Sequence, residues 1–342
     1  MKSESSPLIS VCIPVFGTEP YLFQCLRSVF TQDFSSFEII VVSDRSCGRD
    51  EKGRGAKKIV KTAQKECKKY RKKNKLSEIK IKFIEHRENR GLIEVRRTLA
   101  FEAEGFYITQ VDSDDEMESG ALSVLWRAVI ENVDIDIVHG KSTAGTFDEE
   151  GNFTPSKENR YGKIFYGKIE GREVFRRWLL GGEFTANTWG KLIKRKLWLR
   201  GFENIPYTQC NMADDLLLFF FIAQYAKSYI GIEKNVYRYR VNSGMTSNRK
   251  IDNLQKWRMI CSAASVFSII SEYIAHSEGK ALEESLRPDE IAHIRKLTGY
   301  YLLNNLKQMR ETVVPELQEE ARKMLCEYWG ETFVEKMEKS LS

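Results

Sequence analysis

The sequence predicts an α/β protein in which helices cover both faces of a mostly parallel β-sheet. Three observations lead to this prediction. β-Branched and aliphatic runs alternate with stretches of helical periodicity over roughly the first 140 residues. The run Phe37–Val42 (FEIIVV) has the continuous apolar composition of a parallel strand that is buried on both faces. From about Ile251 onward only helical patterns remain, which predicts an all-helical C-terminal extension.

The predicted elements of the first region follow one another in strict alternation. Strands are expected at Leu8–Ile13, Phe37–Val42, Ile79–Ile84, Phe106–Val111 and Ile135–His139. Helices are expected at Tyr21–Phe30, in the lysine-rich stretch Lys52–Lys75, at Gly91–Ala103 and at Met117–Asn132. Because open α/β sheets bind ligands beyond the carboxyl ends of their strands, functional residues are expected just after Ile13, Val42 and Val111.

The second region is less regular. Residues 141–168 are polar and carry glycines, which predicts a loop or hairpin over the site, with a turn at Asp148–Asn152. Helices are predicted at Arg172–Leu180 and Asp215–Ala226.

Composition excludes several classes of protein. With 342 residues, 42% hydrophobic and 30% charged, the chain is neither disordered nor a disulfide-stapled miniprotein, and it has room for about two domains. No apolar run reaches about 18 residues, so no membrane-spanning helix is predicted. The seven cysteines are odd in number, widely spaced and free of C-x-x-C pairs, which favours reduced thiols in a cytoplasmic protein over a zinc site.

The net charge of +6 is concentrated in one segment. Lys52–Lys75 holds twelve basic residues and one acid, Glu66, so the rest of the chain is acidic overall. Its apolar residues recur at helical spacing and are Ile59, Val60, Ala63, Cys67 and Tyr70. Such a helix can be a solvated face with core anchors, a contact with an anionic membrane, or a nucleic-acid contact. We expect no nucleic-acid partner.

A cluster of acids follows the fourth predicted strand, within the segment Asp112–Glu116. On extended backbone the side chains of Asp112 and Asp114 would point the same way, so both carboxylates could bind one hard cation, Mg²⁺ or Mn²⁺. A bound cation of this kind could stabilise a diphosphate as a leaving group. The alternative is that these acids only cap the helix predicted to begin near Met117.

Other strand ends and one helix start carry candidate residues. Asp44 could accept hydrogen bonds from a ribose or base, or could cap a turn. Phe16 could stack on a base or belong to the core. Asp214 and Asp215 begin a strongly apolar helix and, taken alone, favour an acid pair at a helix N-terminus. The first loop has neither the dinucleotide-binding nor the P-loop glycine pattern.

Six segments extend this picture in chain order. They are LISVCIPVFGTEPYLFQCLRSVFTQDFSSFEIIVVSD, NRGLIEVRRTLA, YITQVDSDDEM, TWGKLIKR, MADDLLLFF and YRYRVNSGMTS. Together they resemble the opening strands, the Asn-x-Gly helix, the D-x-D motif, the Trp–Lys segment, the late acidic pair and the closing strand of the family 2 glycosyltransferases, which have the Rossmann-like GT-A fold. The resemblance covers roughly residues 8 to 247 and leaves out the C-terminal helices.

The resemblance implies a catalytic domain at 1–247, with a nucleotide-binding half at about 1–140 and an acceptor half at about 141–247, followed by a helical region at 248–342. It implies a hexosyltransferase that moves a sugar from a nucleotide-diphosphate sugar, usually uridine-linked, to a hydroxyl acceptor. The reaction would be inverting, would need Mn²⁺ or Mg²⁺, and would serve surface polysaccharide or glycolipid synthesis at the cytoplasmic face of the membrane. The C-terminal helices could hold a homodimer.

The resemblance also implies roles for individual residues. The nucleotide would contact Pro14, Val15, Phe16, Glu19, Asp44, Arg96, Asp112 and Ser113. The metal would be held by Asp114 with Asp112. Asp215 would be the catalytic base, with Asp214 beside it. Trp189 and Lys191 would shape the acceptor side.

Three positions depart from the family pattern. Gly17 stands in place of the usual Asn, Ser43 in place of the first acid of an Asp pair, and Arg45 in place of a glycine. These departures motivate an alternative, a non-catalytic paralogue that binds a nucleotide-sugar or glycan. A nucleotidyltransferase is a further alternative, and the late acidic pair and the tyrosine-rich closing strand argue against it.

Overall fold

The computed structural model describes residues 6–148, 151–157, 162–241, 250–276 and 285–340. The strands in these ranges are β1 (Ile9–Val15), β2 (Phe37–Ser43), β3 (Lys80–Glu85), β4 (Tyr107–Gln110), β5 (Glu116–Met117), β6 (Ile137–Phe147), β7 (Phe153–Pro155), β8 (Gly167–Glu170), β9 (Lys191–Lys194) and β10 (Ser228–Arg240). The α-helices are α1 (Glu19–Phe30), α2 (Ala56–Lys73), α3 (Leu92–Glu102), α4 (Ala121–Glu131), α5 (Glu173–Leu179), α6 (Arg195–Glu203), α7 (Asp214–Tyr225), α8 (Leu254–Cys261), α9 (Ala263–Ala275), α10 (Pro288–Thr312), α11 (Gln318–Trp329) and α12 (Glu331–Lys339).

One sheet runs through the molecule in the strand order β3-β2-β1-β4-β9-β6-β10-β5, with β7 added beside β6 and β8 beside β10. β3, β2, β1 and β4 are parallel to one another. The second half is mixed: β9 runs antiparallel between β4 and β6, whereas β6 and β10 are parallel. The predicted α/β class is confirmed, and the all-parallel part is confined to the first four strands of this order.

Helices cover both faces of the sheet, which explains the unbroken apolar run in β2. Ile39 and Val41 belong to the core beneath α1, α2 and α4. Ile40 and Val42 point the other way, into the core formed with α3, α5, α6, α7 and α9. All four are fully buried. Successive strand residues alternate between faces, so a strand covered on both sides needs apolar residues at every position.

The lysine-rich stretch forms α2, and its buried side follows the predicted spacing except at one residue. Ile59, Val60, Ala63 and Cys67 are buried, whereas Tyr70 is 38% exposed. The neighbouring Arg71 takes the inward position. Its guanidinium donates hydrogen bonds to backbone carbonyls in the turn after α1, those of Phe30, Gln32 and Phe34. A buried arginine thus replaces the expected aromatic anchor, because the turn offers unpaired carbonyl oxygens.

Two predicted boundaries need correction. The helix predicted from Met117 begins only at Ala121, because Met117 pairs with Tyr237 in the short antiparallel contact of β5 with β10. Gly120 then adopts a left-handed conformation (φ +74°) that turns the chain into α4. In the 141–168 region the hairpin alternative is the observed one, since β6 continues to Phe147 and pairs with β7. Residues 149–150 and 158–161 of that region lie outside the described ranges.

The C-terminal helices form a third core and also pack on the region of α5. α8, α11 and α12 contribute to that third core. The side chain of Glu290 on α10 is fully buried between Arg172 and Arg176 of the α5 region. The boundary predicted between residues 247 and 248 falls in 242–249, outside the described residues, so the two-domain division stays a prediction.

One helical segment in the described residues bears on the prediction that the chain has no membrane-spanning helix. Leu254–Ala275, spanning α8 and α9, is long and apolar enough to cross a membrane by length and composition alone. Half of its most apolar stretch is buried inside the protein. Core helices meet the same criterion, so this segment is weak support for a membrane span.

Candidate active site

The predicted nucleotide-binding residues meet where β1 and β2 end on the same edge of the sheet. Pro14 and Val15 are buried strand residues, whereas Phe16 exposes 41% of its surface. The Val15 carbonyl accepts a hydrogen bond of 3.0 Å from the backbone N–H of Asp44. The ring of Phe16 is therefore open to a ligand, and any contact from Pro14 or Val15 would come from the backbone.

Asp44 is buried and its carboxylate is engaged by the loop before α3. It accepts hydrogen bonds of 2.9 Å from the backbone N–H groups of Arg90 and Gly91. His86 Nδ1 lies 2.7 Å from Asp44 Oδ1. In this arrangement the Asp44 carboxylate organises a loop at the edge of the site. Its predicted contact with a nucleobase stays a prediction.

Glu19 has the opposite environment. Its side chain is fully buried, and neither carboxylate oxygen has a hydrogen-bond partner among the described residues. A Cβ atom on Gly48 would lie 1.9 Å from Glu19 Oε2, so a larger residue at position 48 would have to displace this carboxylate. A buried charge without donors is costly, which makes Glu19 a candidate for a ligand contact.

The acidic segment after β4 is a turn, which corrects the prediction of extended backbone. The N–H of Asp115 donates to the Asp112 carbonyl at 2.9 Å and closes the turn. Asp112 and Asp114 are partly exposed, whereas Ser113 and Asp115 are buried. The Ser113 hydroxyl lies 2.6 Å from that of Thr18. The turn, and not strand alternation, thus presents the two D-x-D carboxylates.

The third acid of the cluster is structural. Asp115 accepts hydrogen bonds from the Tyr237 hydroxyl at 2.8 Å and from the Arg240 backbone N–H at 2.7 Å. Arg240 Nε also donates to the Asp114 carbonyl at 2.8 Å. These hydrogen bonds from β10 therefore stabilise the turn. Sequence reasoning missed Tyr237 and Arg240, although the alternation Tyr-Arg-Tyr-Arg in the closing strand is a signal that one face of β10 meets charged groups.

Arg96 lies between the acidic turn and the late acidic pair. Its guanidinium is buried and donates a short hydrogen bond to Asp215 Oδ1. Arg96 Nε lies 2.9 Å from Asp214 Oδ2, an ion pair without hydrogen-bond alignment. The side chain of Asp215 is 31% exposed and that of Asp214 only 10%. Asp215 is thus the member of the pair that a ligand can reach, and Arg96 is occupied by protein carboxylates.

Burial and like charge act together on these carboxyls. Burial raises the pKa of Asp112 above its usual range, Arg96 opposes the shift, and the nearby charges of Asp215 and Asp114 add to it. Burial likewise raises the pKa of Asp214, with Arg96 opposing. One arginine does not neutralise the cluster.

The two predicted acceptor-side residues occupy different layers. Trp189 is 6% exposed and stacks on Tyr237 with ring centroids 4.8 Å apart. Lys191 is completely buried, and its Nζ donates to the Asn187 carbonyl at 2.5 Å. Burial lowers the pKa of Lys191 to about 7. Lys191 therefore supports the Trp189 segment from beneath and does not line an open surface.

A divalent cation fits the donor groups of the acidic turn. Within the described ranges no three His, Cys, Asp or Glu side chains form a complete metal-binding group. Mg²⁺ and Mn²⁺ sites commonly use one or two carboxylates and complete their shell with water and substrate phosphate. Asp112 and Asp114 supply two carboxylate donors, and a cation bound to them would offset both the burial of Asp112 and the nearby charges of Asp215 and Asp114, which raise its pKa.

A cavity of about 700 Å³ opens beside the acidic turn, between α1, β5 and the β6–β7 hairpin. Arg240 forms part of its wall, with its guanidinium 4.7 Å from the ring centre of Tyr21 and 3.8 Å from that of Phe147. The cavity is therefore adjacent to the acidic turn through Glu116 and Arg240.

Comparison with known proteins places this arrangement in a family. The model of Glycosyl transferase family 2 matches residues 10–197, more than half of the chain. Glycosyltransferase GlyA of Streptococcus pneumoniae is 29% identical over 245 residues, which are 70% of this chain and 31% of GlyA. Glycosyltransferase GlyG of the same organism is 27% identical over 252 residues, 72% of this chain and 75% of GlyG.

Among solved structures, mannosyltransferase PcManGT from Pyrobaculum calidifontis, in complex with GDP-Man and Mn²⁺, superposes with a TM-score of 0.50. Its sequence is 14% identical, and the match covers 98% of this chain and 85% of that one, so the likeness concerns the fold. The protein belongs to the family 2 glycosyltransferases, as its motifs predict. It spans about a third of the length of GlyA and three quarters of that of GlyG.

Proposed function

We propose that this glycosyltransferase moves a sugar from a nucleotide-diphosphate sugar, with uridine as the expected nucleoside, to a hydroxyl acceptor with inversion. The observation that carries the proposal is one charged cluster, in which the buried Arg96 pairs with Asp214 and Asp215 on α7 and interacts electrostatically with Asp112 on the turn that also carries Asp114. Single displacement needs its leaving-group stabilisation and its base within one site.

Asp215 is the proposed base. It takes the proton from the acceptor hydroxyl while the acceptor oxygen bonds to the anomeric carbon and the bond from that carbon to the diphosphate breaks. Arg96 holds Asp215 Oδ1 and keeps the carboxylate oriented. Asp214, more buried and next to the same arginine, anchors Arg96 from the other side.

Asp112 and Asp114 would hold the Mn²⁺ or Mg²⁺ ion. When bound, the ion supplies charge neutralisation for the departing diphosphate. Phe16, Glu19, Asp44 and Ser113 are proposed to surround the nucleoside, with Pro14 and Val15 contributing backbone. Trp189 is proposed to face the acceptor, supported by Lys191. The acceptor would be a surface glycan or glycolipid.

The direct test compares Asp114→Ala with Asp215→Asn. Calorimetry with UDP, GDP and CDP, each with and without Mn²⁺, is expected to give metal-dependent UDP binding that Asp114→Ala abolishes. Asp215→Asn is expected to keep UDP binding and to lower transfer by about 10²–10⁴-fold, the usual contribution of a general base. Asp252→Asn is the matched control, because Asp252 is an exposed aspartate two residues before α8. Full transfer in both site variants would contradict the assignment.

A specific observation favours the non-catalytic alternative as the second candidate. The Asp44 carboxylate is already hydrogen-bonded by the protein, and Gly17, Ser43 and Arg45 depart from the family pattern nearby. This alternative predicts nucleotide binding without donor hydrolysis or transfer in the wild type. Selective GDP or CDP binding would keep the enzyme class and change the donor.

We also propose that the outer face of α2 lies against an anionic membrane. Eight lysines of α2 are exposed and have no ion pair within the described part of the chain: Lys57, Lys58, Lys61, Lys65, Lys68, Lys69, Lys72 and Lys73. Like charges four residues apart each cost the helix about 0.2–0.5 kcal/mol, and lysines in the first turn oppose the helix dipole. An anionic surface would remove this repulsion. Lysine, not arginine, dominates the face, which favours a lipid surface over nucleic acid.

Sedimentation with phosphatidylglycerol vesicles tests this proposal. The triple variant Lys61→Glu, Lys65→Glu, Lys68→Glu is expected to lose more than about 100-fold in vesicle affinity, since each lysine is worth about 1 kcal/mol at an anionic surface and each new glutamate adds repulsion. The control reverses three exposed lysines elsewhere, Lys227, Lys234 and Lys250. Tight, salt-dependent RNA binding without vesicle binding would overturn the proposal.

A homodimer through the C-terminal helices is a separate proposal, which sedimentation velocity would test.

A further inference from the structure

A buried chain of hydrogen bonds joins the two halves of the carboxylate cluster. Gln110 Nε2 donates to Asp112 Oδ1 at 3.0 Å, and the Thr188 hydroxyl donates to Gln110 Oε1 at 3.0 Å. Arg96 Nη1 donates short hydrogen bonds to both Thr188 Oγ1 and Asp215 Oδ1. Gln110 is 1% exposed and Thr188 is fully buried. The chain therefore runs from Asp215 through the buried Arg96, Thr188 and Gln110 to Asp112.

The chemistry of the groups fixes the direction of this chain. An ionised carboxylate only accepts hydrogen bonds, so the amide nitrogen of Gln110 has to face Asp112 and its oxygen has to face Thr188. Thr188 has one hydroxyl hydrogen and gives it to Gln110, which leaves its oxygen to accept from Arg96. Asp215 Oδ1 also lies 3.3 Å from Thr188 Oγ1, but the same hydrogen cannot serve both acceptors. Each link thus depends on the one before it.

The chain also crosses between the two halves of the sheet. Gln110 ends β4, which belongs to the parallel, nucleotide-side strands. Thr188 precedes Trp189, whose backbone forms a parallel bridge with that of Gln110. The D-x-D turn follows Gln110 by two residues. The side chains of Gln110 and Thr188 therefore connect the element that carries the turn to the segment beside α7.

We propose that Gln110 and Thr188 are positioning residues, which set the distance and orientation of Asp112 relative to Asp215. This inference rests on the proposed function, in which the donor is held at Asp112 and the acceptor hydroxyl at Asp215. Displacement of a reacting group by about 1 Å can cost about 100-fold in rate, so such a link affects turnover without touching the substrate.

The first test is Thr188→Val, which removes the hydroxyl at nearly constant volume. Transfer is expected to show a kcat about 30- to 100-fold lower, while the KM for the donor and the calorimetric Kd for UDP with Mn²⁺ stay within about threefold. Thr188→Ser restores the hydroxyl and is expected to recover most of kcat. Thr109→Val is the matched control, because Thr109 is a buried threonine on β4, next to Gln110, and takes no part in this chain of hydrogen bonds.

The second test asks whether the two residues act as one link. Gln110→Met is expected to lower kcat and to weaken Mn²⁺-dependent UDP binding a few-fold, because Asp112 loses its donor. The double variant with Thr188→Val is expected to lose no more than the worse single variant, as in a coupled pair. The inference would be overturned if the fold-losses in kcat of the two single variants multiplied in the double variant. It would also be overturned by an unchanged kcat in Thr188→Val or by an equal loss in Thr109→Val.

These measurements distinguish the positioning role from the proposed function. If the wild type transfers sugar and Thr188→Val is unaffected, the positioning role is wrong and the proposed function stands. If the wild type binds no nucleotide and transfers no sugar, the proposed function is wrong and the positioning role falls with it. A loss in Thr188→Val through weaker UDP–Mn²⁺ binding alone would mean a ligand-binding role and would also overturn positioning.

Discussion

Two strand ends on the same edge of the sheet, those of β2 and β4 on either side of β1, carry aspartates in contrasting environments. Asp44, after β2, is surrounded by donors: the N–H groups of Arg90 and Gly91 and the ring of His86. Asp112, after β4, receives a hydrogen bond from Gln110 but also feels the charges of Asp215 and Asp114. One carboxylate is matched by its protein donors, and the other belongs to a cluster with excess negative charge.

The difference separates a carboxylate that stabilises the fold from one that is available to a cation or ligand. A carboxylate whose donors all come from the protein stabilises the loop that supplies them. A carboxylate cluster with more negative charges than hydrogen-bond donors is not fully compensated by the protein, and a cation or a ligand can supply the missing positive charge or donors. Glu19 is the extreme case, since it is buried without a partner in the described structure. Removing a buried charge that has partners should lower the free energy of unfolding, whereas removing one without partners should raise it. Four variants test this difference.

The largest effect is expected for Arg96→Met. Arg96 is the buried counter-charge of the late acidic pair, and its removal leaves carboxylates unpaired. Loss of one partner of a buried ion pair typically costs about 3–5 kcal/mol in the free energy of unfolding. Urea unfolding measures this loss, and Asp214→Asn in the same chain is expected to restore part of it. No loss in Arg96→Met would mean that the acids are already neutral.

A pH-dependent effect is expected for the buried Lys191. Its folded pKa of about 7 lies below the unfolded value of 10.5, so the destabilising effect of its charge is complete below pH 7. That effect disappears as pH rises through the window from 7 to 10.5. Relative to Lys191→Met, the wild type is expected to gain about 2–3 kcal/mol of unfolding free energy between pH 6 and pH 9.

Lys194 on the same strand is the control for that measurement. It lies 2.9 Å from Asp136 Oδ1, and its pKa is raised, with hydrogen bonds to Asp134 and Asp136 outweighing its desolvation. Lys194→Met is therefore expected to show no such gain between pH 6 and pH 9. The same slope in both variants would mean that Lys191 does not bury a charge.

Local pattern predicted the five strands and four helices of the first 140 residues apart from their ends, and the motifs predicted the family, but neither predicted how charges pair. The run FEIIVV predicted a strand buried on both faces because that property depends on the local sequence alone. The sequence pattern could not separate Asp44 from Asp112, since both follow apolar strands and differ only in donors from distant loops. Gln110 and Thr188 were missed for the same reason: their link spans 78 residues of chain. Met117 was assigned to a helix because its β-partner, Tyr237, lies far along the chain.

A smaller loss is expected for Asp44→Asn. An amide can accept only at its oxygen, so one of the two backbone N–H groups or His86 loses its charged partner. The free energy of unfolding is expected to fall by about 2 kcal/mol, as is typical of hydrogen bonds to charged groups. If stability is unchanged and UDP affinity falls, the Asp44 carboxylate serves the nucleotide, as proposed above, without stabilising the loop.

The smallest effect, and one of opposite sign, is expected for Glu19→Gln. Removing a buried, unpaired charge lowers its desolvation cost, although the negative side chain also interacts favourably with the first turn of α1. These terms nearly offset each other, so we expect a gain of about 0.5–1 kcal/mol in unfolding free energy, together with weaker UDP binding. Glu94→Gln is the matched control, because Glu94 is buried but lies 2.9 Å from Arg97 Nε, and it is expected to lose stability. A gain in Glu19→Gln with unchanged nucleotide affinity would remove Glu19 from the site, and a loss would show that its carboxylate has a partner after all.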